Sequence, residues 1–506
     1  MDDATEGHLG VKPKLSGVMG EDGSTSKPDL LAACRAQANW SGLSVKTRLQ
    51  VIRRLRQGVA NDPRSLARTV EDLRPPADTI AAEILPLVEA ARFLERMAPA
   101  LLAPRRLRGG RPLWLAGIAA EIHREPLGVV LILAPSNYPI MLPGIQALQA
   151  IAAGNAVRVK PARGFSGAMR ALQAALRQAG LPDGVFDVLD DSDAAGAAAV
   201  AAGFDKIVLT GSAATGARVL AAAADMLTPT TMELSGCDAM FVLAEADLDL
   251  VADCLAYGLR FNAGATCIAP RRVFVAHGMA ATLEAAIVAR IGTIPPVALG
   301  DRTAGLVTEI LADARARGAR VLGATDPRDF GPVVIAAATA GSRATMEDVF
   351  APVVSLIAVD SVDAALAADR SCPYALGASV FGPERAAREL VPHLRAGSVV
   401  VNDVIVPTAD PRLPFGGRGR SGFGVTRGAE GLLEMTTVKS VSVRRGRFRP
   451  HLQPKKPGDE ALMVAMTRLL HGPWRARAGA FGAFIRATRE TRAPSSFSTD
   501  QPPRSG

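Results

Sequence analysis

The sequence predicts an α/β protein built on parallel sheet, and three observations carry that prediction. The first is Leu127-Gly-Val-Val-Leu-Ile-Leu-Ala-Pro-Ser-Asn-Tyr-Pro139, an apolar run that stops at Pro135 and Pro139. A near-continuous apolar strand is what a parallel sheet covered on both faces requires. The second is the sequel: a helical segment over 142–153, a stop at Gly154-Asn155, and another strand, Ala156-Val-Arg-Val-Lys160, ending at Pro161. Together these form a βαβ unit, whose ligands bind beyond the carboxyl ends of the strands, where Asn137 and Lys160 fall. The third is that strand and helix keep alternating through a chain of 506 residues and 48% hydrophobic content, enough for two or three domains with ample cores.

Taken in order, residues 1–27 are rich in Gly, Ser, Asp and Lys without periodicity, which predicts disorder. From 28 to about 102 apolar residues recur at three- and four-residue spacings, among them Leu49, Val51, Ile52 and Leu55, so packing helices are expected. Residues 111–125 read as a hairpin or an extended arm before Pro126. After the first βαβ unit come a helix from Gly167 to about Gly180, a short strand at 185–188 and a helix over 194–202. The strand Lys206-Ile-Val-Leu209 then enters Thr210-Gly-Ser-Ala-Ala-Thr-Gly216, with a helix expected over 217–226. Strand, glycine-bearing turn and helix aim backbone N–H groups and a helix dipole at a phosphate. The spacing is G-S-x-x-x-G, not G-x-G-x-x-G, and a turn without any ligand reads the same way. A second α/β region runs from about 237 to 433, with strands at 239–243, 273–275 and 353–359 and helices at 248–261, 279–291 and 307–317.

Composition removes several classes of function. The net charge of +9 sits in residues 444–506, which hold 13 Lys or Arg against 4 Asp or Glu, so the body is neutral and offers no basic face to nucleic acid. Five cysteines, Cys34, Cys237, Cys254, Cys267 and Cys372, lie far apart without CxxC spacing. That argues against a disulfide framework and against a zinc site, and no metal is expected. The acidic, polar first residues lack the order of a secretory signal, and no apolar run approaches the roughly 18 residues that span a bilayer. A cytoplasmic protein is expected.

The stretch that carries chemistry is Arg260-Phe-Asn-Ala-Gly-Ala-Thr-Cys-Ile-Ala-Pro-Arg-Arg272. It sets Cys267 beyond a loop of small residues, where Gly and Ala leave room for backbone and substrate to approach a sulfur. A thiol reacts as its thiolate, so a nucleophilic Cys267 demands a positive or hydrogen-bond-donating setting. A small buried apolar residue is the other reading. Glu233, in Met232-Glu-Leu-Ser-Gly-Cys-Asp238, ends a short apolar segment and taken alone reads as solvated surface.

Asn137 in Pro135-Ser-Asn-Tyr-Pro139, Lys160-Pro161, Gly211-Ser212-x-x-x-Gly216, Glu233-Leu-Ser-Gly236 and Asn262-x-Gly264-x-x-Cys267 nevertheless occur in one order. Glu347-Asp-Val-Phe-Ala-Pro352 and Pro414-Phe-Gly-Gly-x-x-x-Ser-Gly-x-Gly424 continue it. This series resembles the aldehyde dehydrogenase superfamily over roughly residues 28–443. The resemblance implies a Rossmann-like cofactor domain (28–110 and 126–235), an α/β catalytic domain (236–436) and a small β bridging arm (111–125 and 437–443). Subunits would pair through that arm as a homodimer or homotetramer. It also implies that a small-molecule aldehyde is oxidised to a carboxylic acid. Cys267 would attack the aldehyde carbon, the Asn137 amide and the Cys267 backbone N–H would hold the oxyanion, and Glu233 would activate water against the resulting thioester. The cofactor, NAD or NADP, would lie against Pro135, Ser136, Gly211, Gly216 and Leu234. Lys160 would reach its adenosine ribose, Ser212 its pyrophosphate, and Asp348 with Phe350 its nicotinamide ribose.

The chain departs from that pattern at several positions. Arg163 stands where the family commonly has a Glu that binds the adenosine hydroxyls. A guanidinium there attracts a 2′-phosphate and makes NADP usable at least as well as NAD; an arginine turned to solvent leaves the preference untouched. Asp348 replaces a Glu, one methylene longer, and Ala265, Ser235 and Cys237 replace a frequent Gln, Gly and Lys. Two other activities fit the same residues. One is an acylating dehydrogenase or acyl-CoA reductase, against which Glu233 speaks, since a placed base serves water and not a thiol. The other is a catalytically weak scaffold held at a membrane. The tail, 444–506, mixes Arg and Lys with Trp474, Phe481, Phe484 and Ile485. That suits an amphipathic helix on an anionic membrane surface, and equally a helix folded onto its own subunit. On the membrane reading the protein is peripheral at the inner membrane surface and its substrate is a long-chain or lipid-derived aldehyde.

Overall fold

The strand Val129–Leu133 is buried along its whole length, as an apolar strand between two helical layers must be. Val130 and Ile132 enter one core with Ile52, Leu94 and Leu148, while Val129, Leu131 and Leu133 enter another with Phe204 and Val219 on the opposite face. Around it a computed structural model places a six-stranded sheet. The order is Gly422–Phe423, Thr230–Leu234, Lys206–Gly211, Val129–Leu133, Ala156–Lys160 and Phe186–Val188, all parallel except the first. The chain steps outward from Val129–Leu133 through Ala156–Lys160 to Phe186–Val188, then returns to the other flank as Lys206–Gly211. That reversal opens a crevice beyond the carboxyl ends of Val129–Leu133 and Lys206–Gly211.

The structure describes residues 30–447, 449–456 and 458–492, so the disorder expected over 1–27 lies outside the described residues. Two units separate by packing: Met1–Arg106 with Glu121–Val441, and Leu107–Ala120 with Ser442–Gly506. The larger unit also holds a seven-stranded sheet in the order Arg320–Leu322, Val333–Ala336, Val353–Val359, Pro270–Ala276, Asp238–Val242, Gly377–Phe381 and Ser398–Val401. Only Arg320–Leu322 runs antiparallel to its neighbour. Here too the side chains alternate between two cores, Ala239 and Phe241 to one, Met240 and Val242 to the other.

Three local expectations need correction. The helix after Gly211 begins at Ala213, not 217, because Ser212 caps it by accepting a hydrogen bond from Thr215 N–H at 3.2 Å. Gly216 therefore lies inside the first turns of the helix, where a Cβ would come within 2.7 Å of Leu234 Cδ1. The helix expected at 307–317 begins at Asp301. The segment read as a hairpin or arm contains one strand, Ile118–Pro126, in a three-stranded sheet between Arg105–Arg106 and Thr436–Arg444.

In the smaller unit the tail forms two helices, Asp459–His471 and Trp474–Arg492, packed on each other through small residues such as Ala465, Ala480 and Ala487. Trp474, Phe481 and Ile485, spaced at i, i+7 and i+11, share one face of the second helix and stay exposed. Among the described residues no helix is long and apolar enough to cross a membrane.

Candidate active site

A cavity of about 540 Å³ lies at the crevice of the six-stranded sheet, and Asn137, Glu233 and Cys267 all stand on its wall. Pro135, Ser136, Gly211, Ser212, Leu234, Asp348 and Phe350 line it as well. Lys160, Arg163 and Gly216 do not. Lys160 ends its strand half-buried, and Arg163 is exposed and paired with Asp193 at 3.3 Å.

Cys267 is carried by a backbone bent in an uncommon way. Asn262 and Ala263 both have φ of 52°, the left-handed region, which costs a non-glycine residue free energy. Gly264 follows, with no room for a Cβ: one would lie 2.6 Å from Ala351 O. Arg271, buried, clamps this loop from beneath, donating to Gly264 O at 2.5 Å and Ala351 O at 2.8 Å. The surroundings do not favour the thiolate. Burial first, and then the carboxyl groups of Asp238 and Glu233, push the Cys267 thiol up to about 12, while Arg427 pulls it back. Asp238 is itself raised well above its ordinary value, burial being the main cause.

Asn137 faces the same loop. Its Nδ2 donates to Ala265 O at 3.0 Å, and Asn262 Nδ2 donates to Asn137 O at 3.2 Å, so the two segments hold each other. An amide nitrogen carries two protons, which leaves one for a ligand oxygen. Behind it sits a buried ion pair, Arg74 with Glu83 at 3.1 Å. Arg74 donates to Asn137 O, and Glu83 Oε2 accepts from Ile140 N–H at 2.7 Å and Met141 N–H at 2.9 Å. The turn that presents Asn137 is thus tied at both ends.

Glu233 is buried near the end of its strand, and its carboxylate accepts three hydrogen bonds. Gln146 Nε2 and Thr210 Oγ1 each reach Oε2 at 2.9 Å, and Thr426 Oγ1 donates to Oε1. The cofactor side of the cavity meets the chemistry of a dinucleotide. The helix Ala213–Ala224 points its N terminus there with no acidic residue in its first turn. Asp348 Oδ1 is buried without a hydrogen-bond donor, and burial, only partly offset by Arg271, raises that carboxyl to about 6. An acceptor so placed fits a ribose hydroxyl.

Sequence reasoning missed Arg74, Glu83, Gln146, Thr210, Thr426 and Arg427. Gln146 left a trace, a polar residue in the helix Met141–Ala153 where every residue is buried. Thr426 and Arg427 follow the glycine-dense run but repeat no motif.

Comparison with known proteins adds to this geometry. The family model described as the aldehyde dehydrogenase family matches residues 26–441. A betaine aldehyde dehydrogenase of Cereibacter sphaeroides is 31% identical, over 82% of this chain and 89% of its own. A 4,4'-diapolycopene aldehyde oxidase of Methylomonas sp is 29% identical, over 85% and 84%. Among solved structures, an NAD-dependent aldehyde dehydrogenase from Sinorhizobium meliloti superposes with a TM-score of 0.77 at 27% identity, covering 84% of this chain and 88% of that one. An aldehyde dehydrogenase of Mycobacterium tuberculosis complexed with NAD+ gives 0.75 at 25% identity, over 83% and 90%. With the motifs in register, the three side chains on one cavity wall and a match over most of its length, the chain belongs to the aldehyde dehydrogenase family.

Proposed function

We propose that the protein oxidises an aldehyde to its carboxylic acid with NAD or NADP, through an acyl group carried on Cys267. The observation that carries this reading is the shared wall, where a thiol, a carboxamide and a carboxylate from three remote segments face one cavity beside a helix N terminus. Cys267 Sγ, as thiolate, forms a bond to the aldehyde carbon, and the Asn137 amide with the Cys267 backbone N–H holds the oxygen as it gains charge. The chemistry that NAD(P) supplies when bound is acceptance of a hydride, and Asp348, Ser212 and Leu234 would hold it there. Glu233 takes a proton from water as the oxygen adds to the thioester carbon, and the sulfur leaves with the bonding pair. Among the described residues Glu233 Oε1 accepts from Thr426 alone, which leaves a lone pair for that water. A coenzyme A thiol would not need such a base, so the acid is the product.

Substrate class follows from the rest of the wall. Met141, Leu142, Tyr257, Phe261, Ile405 and Val406 make it apolar, which supports a long-chain or lipid-derived aldehyde. Initial rates with aldehydes of increasing chain length, followed by absorbance of the reduced cofactor, should show kcat/KM rising with length. A flat or falling series would exclude the long-chain reading. Arg163 supports NADP beside NAD, because a surface ion pair such as that with Asp193 is worth about 0–1 kcal/mol and does not withhold the guanidinium from a 2′-phosphate. In the same assay Arg163→Glu is expected to shift the NADP to NAD ratio of kcat/KM toward NAD by roughly tenfold, and an unchanged ratio would refute the assignment.

The nine-residue strand Thr436–Arg444 is mostly exposed at the edge of its sheet, which supports pairing of subunits as a homodimer or homotetramer. Exposed Trp474, Phe481 and Ile485 beside Arg475, Arg486 and Arg489 support a cytoplasmic protein held peripherally at an anionic membrane. Full-length protein should float with vesicles rich in anionic lipid and the chain ending at Val443 should not; equal flotation would remove the membrane contact.

A further inference from the structure

Arg427 is a charge in an expensive place. It is 7% exposed, it lines the reaction cavity, and it forms no ion pair among the described residues. Its Nη1 donates to Thr408 O at 2.7 Å, but its buried Nε has no acceptor, and its guanidinium lies 4.2 Å from the centroid of the Phe415 ring. The backbone that presents it has φ 60° and ψ 173°, a region that L side chains avoid. A buried cation outside any ion pair is costly as well. Strain and unpaired charge at one residue on a cavity wall point to a partner that arises during the reaction.

The anions in its view are few. Glu233, Cys267 and Tyr138 bear on it electrostatically. Glu233, the first of them, is already held by three neutral donors, and the Tyr138 hydroxyl is bonded to Thr266 Oγ1 at 2.8 Å. The Cys267 sulfur is the one of the three without a hydrogen-bond partner among the described residues. We propose that Arg427 is the counter-cation of the Cys267 thiolate, a positioning residue whose guanidinium, walled into the same cavity, holds the negative charge of the sulfur before it attacks. The charged and titratable groups that face the sulfur from the surrounding elements are Glu233, Asp238, Asp348, Tyr138, Arg271 and Arg427. Of the two cations, Arg271 is committed to Gly264 O and Ala351 O and lies 3.9 Å from Asp348, so Arg427 is the one left for the thiolate. When the thiol ionises its proton passes to solvent, and the protein's net charge falls by one beside a cation already in place. This inference rests on the reading of Cys267 as nucleophile, but its test needs neither aldehyde nor nicotinamide.

The test is the pH dependence of alkylation of Cys267 by iodoacetamide in the full chain, read by mass spectrometry of the peptide that carries it. In Arg427→Met and in Arg427→Gln, which keeps a donor for Thr408 O without charge, the alkylation rate at each pH near neutrality should fall roughly tenfold. Arg427→Lys should bring the rate back toward wild type. Profiles that superimpose for wild type and either neutral variant, with folding checked by circular dichroism, would overturn the proposal. Such a result would leave aldehyde oxidation untouched, whereas loss of the oxidation reading would show as turnover that survives removal of the sulfur.

Discussion

Cys267→Ser should lower kcat/KM for every aldehyde by roughly a thousandfold or more while the protein stays folded. A serine hydroxyl ionises far less readily than a thiol, and the thioester whose hydrolysis completes the cycle cannot form. Stability should hold, because the half-buried thiol makes no hydrogen bond that the fold needs and the loop is fixed by Arg271, Asn262 and Asn137. Glu233→Gln separates the two halves of the reaction. The first half needs no base at Glu233, so one equivalent of reduced cofactor per active site should appear as a burst, followed by turnover slowed by about a hundredfold. A Cys267→Ser enzyme that still turns over would dismiss the covalent route. A Glu233→Gln enzyme without a burst and with unaltered steady-state rate would assign water activation to another group.

Much of this candidate site was legible in the residues because the family motifs carry the three groups proposed to act on the substrate. Cys267, Asn137 and Glu233 stand in such motifs, and the alternation of strand and helix around them required only that parallel strands be apolar on both faces. What could not be read was support that arises from convergence. Thr210 lies beside Glu233 because Lys206–Gly211 and Thr230–Leu234 pair in that register, and Thr426 arrives from almost two hundred residues away. The strand Val333–Ala336 escaped for a different reason: four apolar residues carry no periodicity that separates strand from helix. The setting of Cys267 was the largest surprise. The sequence argument demanded a positive environment, while burial and the carboxyl groups nearby raise the thiol, and Arg427, which pulls it back, comes from the far end of the catalytic region.

Glu83→Ala should cost about 3–5 kcal/mol of stability, since it leaves Arg74 charged and alone in the core and strips the Ile140 and Met141 N–H groups of their acceptor. Neither residue touches the reacting atoms, yet activity should fall beyond the loss of folded enzyme, because Arg74 also holds Asn137 O. Arg74→Met combined with Glu83→Met should recover most of the stability, as apolar replacement of a buried pair often does, but not kcat, since the turn that presents Asn137 stays unanchored. The pair also has a pH signature. Burial raises Glu83 above its ordinary value of 4.5, with Arg74 and the two N–H groups pulling back. A carboxyl raised in the folded state contributes stability that is complete below its unfolded value and is lost as pH rises through the folded one. Chemical denaturation across that range should therefore show wild type losing stability with rising pH while Glu83→Gln, which cannot ionise, lacks that component of the slope. Parallel curves would mean that Glu83 is as readily ionised inside as outside, and the buried pair would then be a stronger clamp on Asn137 than its surroundings imply.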